Sequence, residues 1–233
     1  ILYGIKRDVF YALRPNVIIH KPGFEFDNKY RTLATIKTLL FLRKKIKSLN
    51  PDTVLSFGEY WNNLVLLATI GLKIPVFIAD RSTPLKNLGA LQNTFRKYLY
   101  PIADGLIVQT EKARKIYIKQ FKNLNIHVIG NPISQIDIDK KGNKENIILT
   151  VGRLIETKHI DRLINMFSKI GLSDWRLVIV GGNAKKQNVK EKLEKLVRKL
   201  KLENTIIFTG TQKDVVRYYL KSSIFAFTSS SEG

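Results

Sequence analysis

The sequence predicts an α/β protein of two consecutive doubly wound units, and two observations carry that prediction. From Asp52 onward, short β-branched runs alternate with longer segments of helical period, the pattern of a parallel sheet covered by helices. The alternation breaks once, at Gly130-Asn131-Pro132 and the polar, lysine-rich passage after it, and then restarts. A length of 233 residues suffices for two modest cores. The expected division is a first Rossmann-like lobe over 1–132, a link over 133–145 and a second Rossmann-like lobe over 146–233.

In the first lobe the expected strands are 53–57, 75–79, 105–109 and 126–129, with helices near 33–49, 62–71, 88–100 and 111–121. In the second, strand 147–151 leads to a helix from about 158 to 170. Strand 176–180, a helix from about 188 to 200, strand 205–208, a short helix 214–220 and strand 224–227 come next. Ile160, Leu163, Ile164, Phe167 and Ile170 fall on one face of the first of these helices, and Gly171 is placed to end it. Val189, Leu193, Leu196, Val197 and Leu200 do the same in the next.

Composition narrows the possibilities. An apolar share of 44% with 25% charged residues is that of a folding, globular chain. With no cysteine there is no disulfide framework and no thiolate metal site, which suits a reducing, cytosolic compartment. The longest apolar stretch, 64–79, is interrupted by Gly71, Lys73 and Pro75 and falls short of a membrane span. The opening residues do not read as a signal peptide, so the chain is expected to begin mid-protein. The formal charge of +21 favours polyanionic partners, and it is spread over both halves.

Ligands of open parallel sheets sit beyond the carboxyl ends of the strands. In the second half the loops there are 152–158, 181–183, 210–212 and 229–233, and each contains glycine, which lets a ligand approach the backbone. Arg153 comes directly after its strand and Lys158 stands at the expected first helical turn. Two cations converging on a helix N-terminus make a diphosphate clamp; the alternative is two solvated cations among forty.

The runs VGRLIETK over 151–158, Leu163-Ile164, WRLVIVGG over 175–182, IIFTG over 206–210 and FTSSSEG over 227–233 together resemble the C-terminal domain of retaining GT-B glycosyltransferases of the family-4 type, also called glycosyl transferases group 1. The resemblance spans nearly all of 146–233 and extends, less specifically, to 54–84 and 106–132. It points to the bacterial surface-polysaccharide branch. It implies transfer of a hexose or N-acetylhexosamine from a nucleotide sugar, UDP-linked, to a glycan or lipid-linked acceptor, with no metal or other cofactor. By resemblance Arg153 and Lys158 hold the donor diphosphate and stabilise its departure. Glu232 matches the first glutamate of the family's E-x7-E motif and faces the donor sugar, with the Gly233 amide beside it; Gly210 and Thr211 line the nucleotide site. His159 departs from the pattern, standing where the family has glycine. The resemblance also implies a fragment truncated at both ends: it lacks the first strand and glycine-rich loop of the N-terminal domain, and it stops before the second glutamate.

In the first half the segment 80–84, Asp-Arg-Ser-Thr-Pro, is similar to an acidic-Arg-polar-x-Pro segment of the same branch. Asp80 and Arg81 are expected either to flank the reaction centre and acceptor or to pair with each other and fix the loop ahead of Pro84. No general base is assigned. The stretches 33–49, with Lys37, Arg43, Lys44, Lys45 and Lys47, and 96–100 mix cations with apolar residues. They suit an anionic membrane surface on the cytosolic side, although such stretches are more often amphipathic helices covering a sheet with their lysines in water. Asp137-Ile138-Asp139 reads as solvated linker. The three histidines, His20, His127 and His159, are too dispersed for a metal site. The rival readings are a sugar-nucleotide epimerase of the same architecture and a basic nucleic-acid-binding module. Charge spread over both lobes, without a concentrated basic face, argues against nucleic acid.

Overall fold

The computed structural model describes residues 1–6, 13–133, 143–184 and 188–230. The chain divides into two compact units, Ile1–Pro132 and Ile133–Glu232. Both are α/β, each with a four-stranded, all-parallel sheet. The Asp137–Asp139 pair and most of the predicted link lie outside the described residues.

Unit 1 runs α1 (Arg31–Leu49), β1 (Val54–Phe57), α2 (Glu59–Thr69), β2 (Val76–Ala79), α3 (Ala90–Leu99), a 3-10 turn (Tyr100–Ile102), β3 (Gly105–Val108), α4 (Glu111–Gln120) and β4 (Ile126–Val128). The strands lie side by side in chain order. Alternate residues Val76 and Ile78 of β2, and Leu106 and Val108 of β3, point into one core with Leu66, Tyr100, Tyr117 and Phe121 from the covering helices, as the two-residue strand period requires. Helix ends reflect local chemistry. Asn50 closes α1 in the left-handed conformation with its N–H on the Ile46 carbonyl, and the Thr110 hydroxyl accepts from the Ala113 amide at the start of α4. Helix α2 begins at Glu59, three residues ahead of expectation, because Gly58 at φ 92° ends the strand and lets the chain turn directly into the helix.

Unit 2 runs β5 (Glu145–Val151), a 3-10 turn (Glu156–Lys158), α5 (Ile160–Ile170), β6 (Arg176–Val180), α6 (Val189–Lys199), β7 (Ile206–Gly210), α7 (Val216–Lys221) and β8 (Ser222–Phe225). The sheet order is β7-β6-β5-β8, so the chain leaves β5 to one side and returns to its other side. Both faces are covered. Ile148, Leu177, Ile179 and Ile206 meet Ile160, Leu163, Ile164 and Phe167 of α5 and Val189, Leu193 and Val197 of α6. Ile147, Leu149, Val178 and Val180 meet Val215, Tyr218 and Tyr219 on the other face. Burial on two faces explains why these strands are continuously apolar. Ile170, placed by periodicity on the buried face, is 56% exposed, because it is the final residue of α5 before Gly171 turns the chain away.

Ile164 is completely buried in the larger of these cores. Ile164→Ala is expected to lower the stability of unit 2 by about 2–5 kcal/mol, measured by urea unfolding.

Candidate functional site

The carboxyl ends of β5, β6 and β7 are stitched together by glycine backbones. The Gly152 amide donates to the Val180 carbonyl, Leu154 to Gly182 and Gly181 to Gly210, each at 2.9 Å. Gly181 comes so near that a Cβ on it would lie 1.8 Å from the Gly152 carbonyl oxygen, so no side chain fits there. A Cβ on Gly182 would lie 2.5 Å from the Thr211 hydroxyl. Gly210 is the last residue of β7, at φ 69°, and turns the chain into Thr211. The glycines expected to let a ligand approach the backbone have, as their close neighbours here, the backbone of the adjoining strand ends and the Thr211 hydroxyl.

Because β6 and β8 flank β5, the crevice between the ends of β5 and β8 is the topological switch point of this sheet. Two segments meet there. Thr228 donates its hydroxyl to the Lys158 carbonyl at 2.7 Å, and the Ser230 amide donates to the Thr157 carbonyl at 3.0 Å, tying the chain after β8 to the 3-10 turn after β5. The Lys158 side chain runs along Gly152, its Cε 3.6 Å from where a Cβ would stand, and its ammonium lies 5.1 Å from the centroid of the Phe227 ring. Arg153 is exposed at the same strand end. Lys158 is therefore not in the first turn of the helix: α5 starts two residues later, no side chain caps it, and Lys158 closes the preceding 3-10 turn. His159 joins the two in the left-handed conformation, φ 47° and ψ 43°. A position of that kind favours glycine, which explains physically why a glycine stands there in the resembled pattern.

In unit 1 the segment after β2 is held from both sides. Asp80 is 3% exposed; its Oδ1 accepts from Asn62 Nδ2 and from the Tyr100 hydroxyl, both at 2.7 Å, and its Oδ2 accepts from the Tyr117 hydroxyl. Burial pushes the Asp80 carboxyl above the usual range and the Glu59 charge adds to this, against the three hydrogen bonds, which favour ionisation. Burial beside that carboxylate likewise raises both tyrosines. Glu59, buried at the start of α2, accepts the Ser82 amide at 2.8 Å. Burial opposes its ionisation, yet its backbone hydrogen bond, Ser82 and the Lys86 charge together bring its pKa below the usual value.

Of the two readings of Asp80 and Arg81, this corrects the pairing: the two do not pair, and both Asp80 oxygens accept from Asn62, Tyr100 and Tyr117. Successive residues at a strand end point opposite ways: Asp80 goes into the helix-covered core, while Arg81 places its guanidinium 5.5 Å from the centroid of the Phe57 ring and stays exposed. Two cations of the mixed basic stretches also have internal work. Arg43 donates to the Ala68 and Ile70 carbonyls at the end of α2, and Arg96 to the Pro84 carbonyl.

Comparison with known proteins bears on both units. Residues 133–233 match the family Glycosyl transferases group 1. Over 229 residues the chain is 29% identical to an uncharacterized glycosyltransferase of Haemophilus influenzae, covering 92% of this chain and 64% of that protein. It is 27% identical over 232 residues to a Campylobacter jejuni α-1,4-N-acetyl-D-galactosaminyltransferase named for a diNAcBac-PP-undecaprenol acceptor, covering 96% of this chain and 62% of that protein. The chain thus spans just over three fifths of the length of these relatives. Among solved structures, a Staphylococcus aureus TarM mutant in complex with UDP and α-GlcNAc-glycerol superposes with TM-score 0.69 at 18% identity, over 84% of this chain and 41% of that one. Anabaena HepE in complex with UDP-glucose gives 0.68 at 14% identity, over 91% and 60%. At those identities the likeness is one of fold: two Rossmann-like units of the GT-B class.

Within the group 1 match, the structure joins the turn that carries Lys158 to the chain after β8, leaves Arg153 exposed at the same strand end, and sets Gly210 and Thr211 at the end of β7. Glu232 and Gly233 lie outside the described residues. Among the described residues no cluster of three metal-ligating side chains occurs. Sequence reasoning assigned no role to Phe227, Thr228 or Glu59; a hydroxyl or aromatic after a strand carries no local signal of the turn it will meet.

His159→Gly is expected to stabilise unit 2 by about 1 kcal/mol in urea unfolding, by relieving the left-handed strain. For Asp80 the folded pKa lies above the unfolded one. Its contribution to stability is therefore full below the ordinary aspartate value and falls as pH rises through the raised value. The wild-type minus Asp80→Asn difference in unfolding free energy should decline across that window and flatten above it, as measured by urea titration at stepped pH.

Proposed function

We propose that the protein containing this chain is a retaining glycosyltransferase of bacterial surface-glycan synthesis, moving a hexose or N-acetylhexosamine from a UDP-sugar to a glycan or lipid-linked acceptor. The observation that carries the reading is the switch-point crevice of unit 2, where Arg153 and Lys158 flank the carboxyl end of β5 ahead of an uncapped helix start. Such a crevice suits a diphosphate: backbone N–H groups and two cations favour negative charge, and the favour grows as the leaving group gains charge. The group 1 match over 133–233 and the glycosyltransferase relatives support the same reading.

In this reaction the bond from the anomeric carbon to the diphosphate oxygen breaks and the acceptor oxygen bonds to the same face of that carbon. The acceptor proton passes to the departing phosphate oxygen, so no protein base is assigned. Lys158 is held for the task by its turn, by Gly152 beneath its chain and by the Phe227 ring. Glu232 and the Gly233 amide are assigned to the donor sugar, and Gly210 and Thr211 to the nucleotide side. Arg81, exposed after β2, is assigned to the acceptor, with Asp80 and Glu59 positioning its loop. The reaction uses no metal, and the protein works at the inner face of the plasma membrane. No helix among the described residues is long and apolar enough to cross one.

In the full-length protein, Lys158→Ala and Arg153→Ala should each lower kcat/KM for the UDP-sugar by at least about tenfold, the effect of one lost charge-assisted contact to a phosphate. Lys195→Ala, which removes only an exposed pair with Glu191 at 2.8 Å, should leave it unchanged. Equal effects in all three would remove the clamp. Turnover of UDP-sugar to an isomer without acceptor would assign the protein to the epimerases.

A further inference from the structure

The loop after β2 is tied down along its length, and one cation on it is left facing solvent. Asp80 is buried at its start, and the Glu59 carboxylate accepts the Ser82 amide at 2.8 Å. Farther along, Arg96 donates to the Pro84 carbonyl and the Tyr60 hydroxyl to the Leu88 carbonyl, both at 3.3 Å. Glu59 and Tyr60 are consecutive residues in the first turn of α2, so one helix start holds both ends of the loop. Arg81 stands clear of these ties. It is exposed, its guanidinium lies over the Phe57 ring at 5.5 Å, and none of the described ion pairs includes it. Phe57 is the last residue of β1, so the pair stands at the carboxyl end of the sheet, where ligands of such sheets bind.

The chemistry of the pair selects a ligand. A guanidinium resting on an aromatic face keeps its N–H donors in its own plane, a fork that fits a planar carboxylate through two parallel bonds. The hydroxyls of a neutral sugar would leave that charge without a counterpart. Local carboxylates do not supply one. Residues 1–132 hold 21 Lys/Arg against 8 Asp/Glu. Of the eight, Glu59 and Asp80 are buried, Asp104 accepts the Val76 amide, and Glu25 and Glu111 face Lys6 and Arg114. Lys86 adds a second cation to the same loop, its ammonium 3.1 Å from the Ser82 hydroxyl. Phe57 keeps 53% of its surface exposed, so apolar ring surface remains beside the cation. A hexuronate carries both complements in one ring: an apolar C–H face, and a carboxylate at the ring edge.

We infer that Phe57 and Arg81 recognise a carboxylate-bearing sugar of the acceptor glycan, with Arg81 as the specificity-determining residue. The inference rests on the proposed transferase reading for its ligand class and deepens it by giving the acceptor a charge. Phe57 and the tied loop orient the guanidinium; Lys86 strengthens the local positive field.

The test is binding to the full-length protein without any sugar nucleotide, followed by ligand-observed NMR. Methyl glucuronide or methyl galacturonide should bind saturably and at least about fivefold more tightly than the matching neutral glycoside, the gain of a charge-assisted paired contact. Arg81→Gln should remove that preference, and Arg81→Lys should remove most of it, because a point charge cannot make the paired bonds. Both variants alter an exposed residue and are checked by circular dichroism for an unchanged fold. Phe57→Leu should weaken the acidic sugar, and Lys195→Ala should leave it unchanged. Equal affinity for acidic and neutral sugars, or a preference surviving in Arg81→Gln, would overturn the site. Full retention in Arg81→Lys would replace paired recognition by bulk charge and overturn it too. Tighter binding of methyl glucoside 6-phosphate than of either uronide would move the specificity to phosphorylated groups, against the inference. Since no donor is present, these results are independent of donor turnover, whose absence would sink the transferase reading instead.

Discussion

The contact between Gly181 and the Gly152 carbonyl is the constraint on which the candidate site of unit 2 depends. Two strand ends can approach that closely only when one of them has no side chain. The approach lets the Gly152, Leu154 and Gly181 amides bond across the strand ends, so the backbone beyond the sheet stays ordered after the regular ladder ends. A lysine side chain can then lie along Gly152, and the turn that carries Lys158 is closed by the chain after β8 through Thr228 and Ser230. A cation on a long flexible side chain loses much entropy when held in one place; here the turn, Gly152 and the Phe227 ring restrict it.

Unit 1 solves a similar problem by burying a carboxylate. Asp80 sits where strand becomes loop, and Asn62, Tyr100 and Tyr117 converge on it from α2, the 3-10 turn and α4. A buried acidic group with its hydrogen bonds made is costly to lose and poorly suited to meeting solvent, so it anchors the start of the loop. Arg81 is the next residue along the chain, and the loop is held a second time by Glu59 on the Ser82 amide and a third by Arg96 on the Pro84 carbonyl. The high positive charge is thus partly internal structure: Arg43 and Arg96 spend their donors on backbone carbonyls, while Lys37, Lys44 and Lys47 remain in solvent.

Much of this was legible in the sequence because it depends on local period. The continuous apolar runs at Ile147–Leu149 and Leu177–Val180 are the mark of strands covered on both faces, and the faces of α5 and α6 are written in the spacing of Leu163, Phe167, Leu193 and Val197. Glycines after successive strands marked the rim, and Arg153 and Lys158 stood out as cations at a strand end. Boundaries were less legible where a single residue decided them: Gly58 started α2 early, and His159, in the left-handed conformation, delayed the start of α5 to Ile160.

By itself the sequence determined the fold class, the two-unit division and the strand end on which the cations stand, since each arises from patterns a few residues long. Only the tertiary structure decided that Asp80 is a buried anchor and Arg81 an exposed cation, because the direction of a side chain depends on which face of the sheet the helices cover. It also decided that Lys158 meets Phe227, 69 residues away along the chain, through the return of β8 to the side of β5. Partners so distant leave no spacing for a sequence to reveal; the topology of the sheet brings them together.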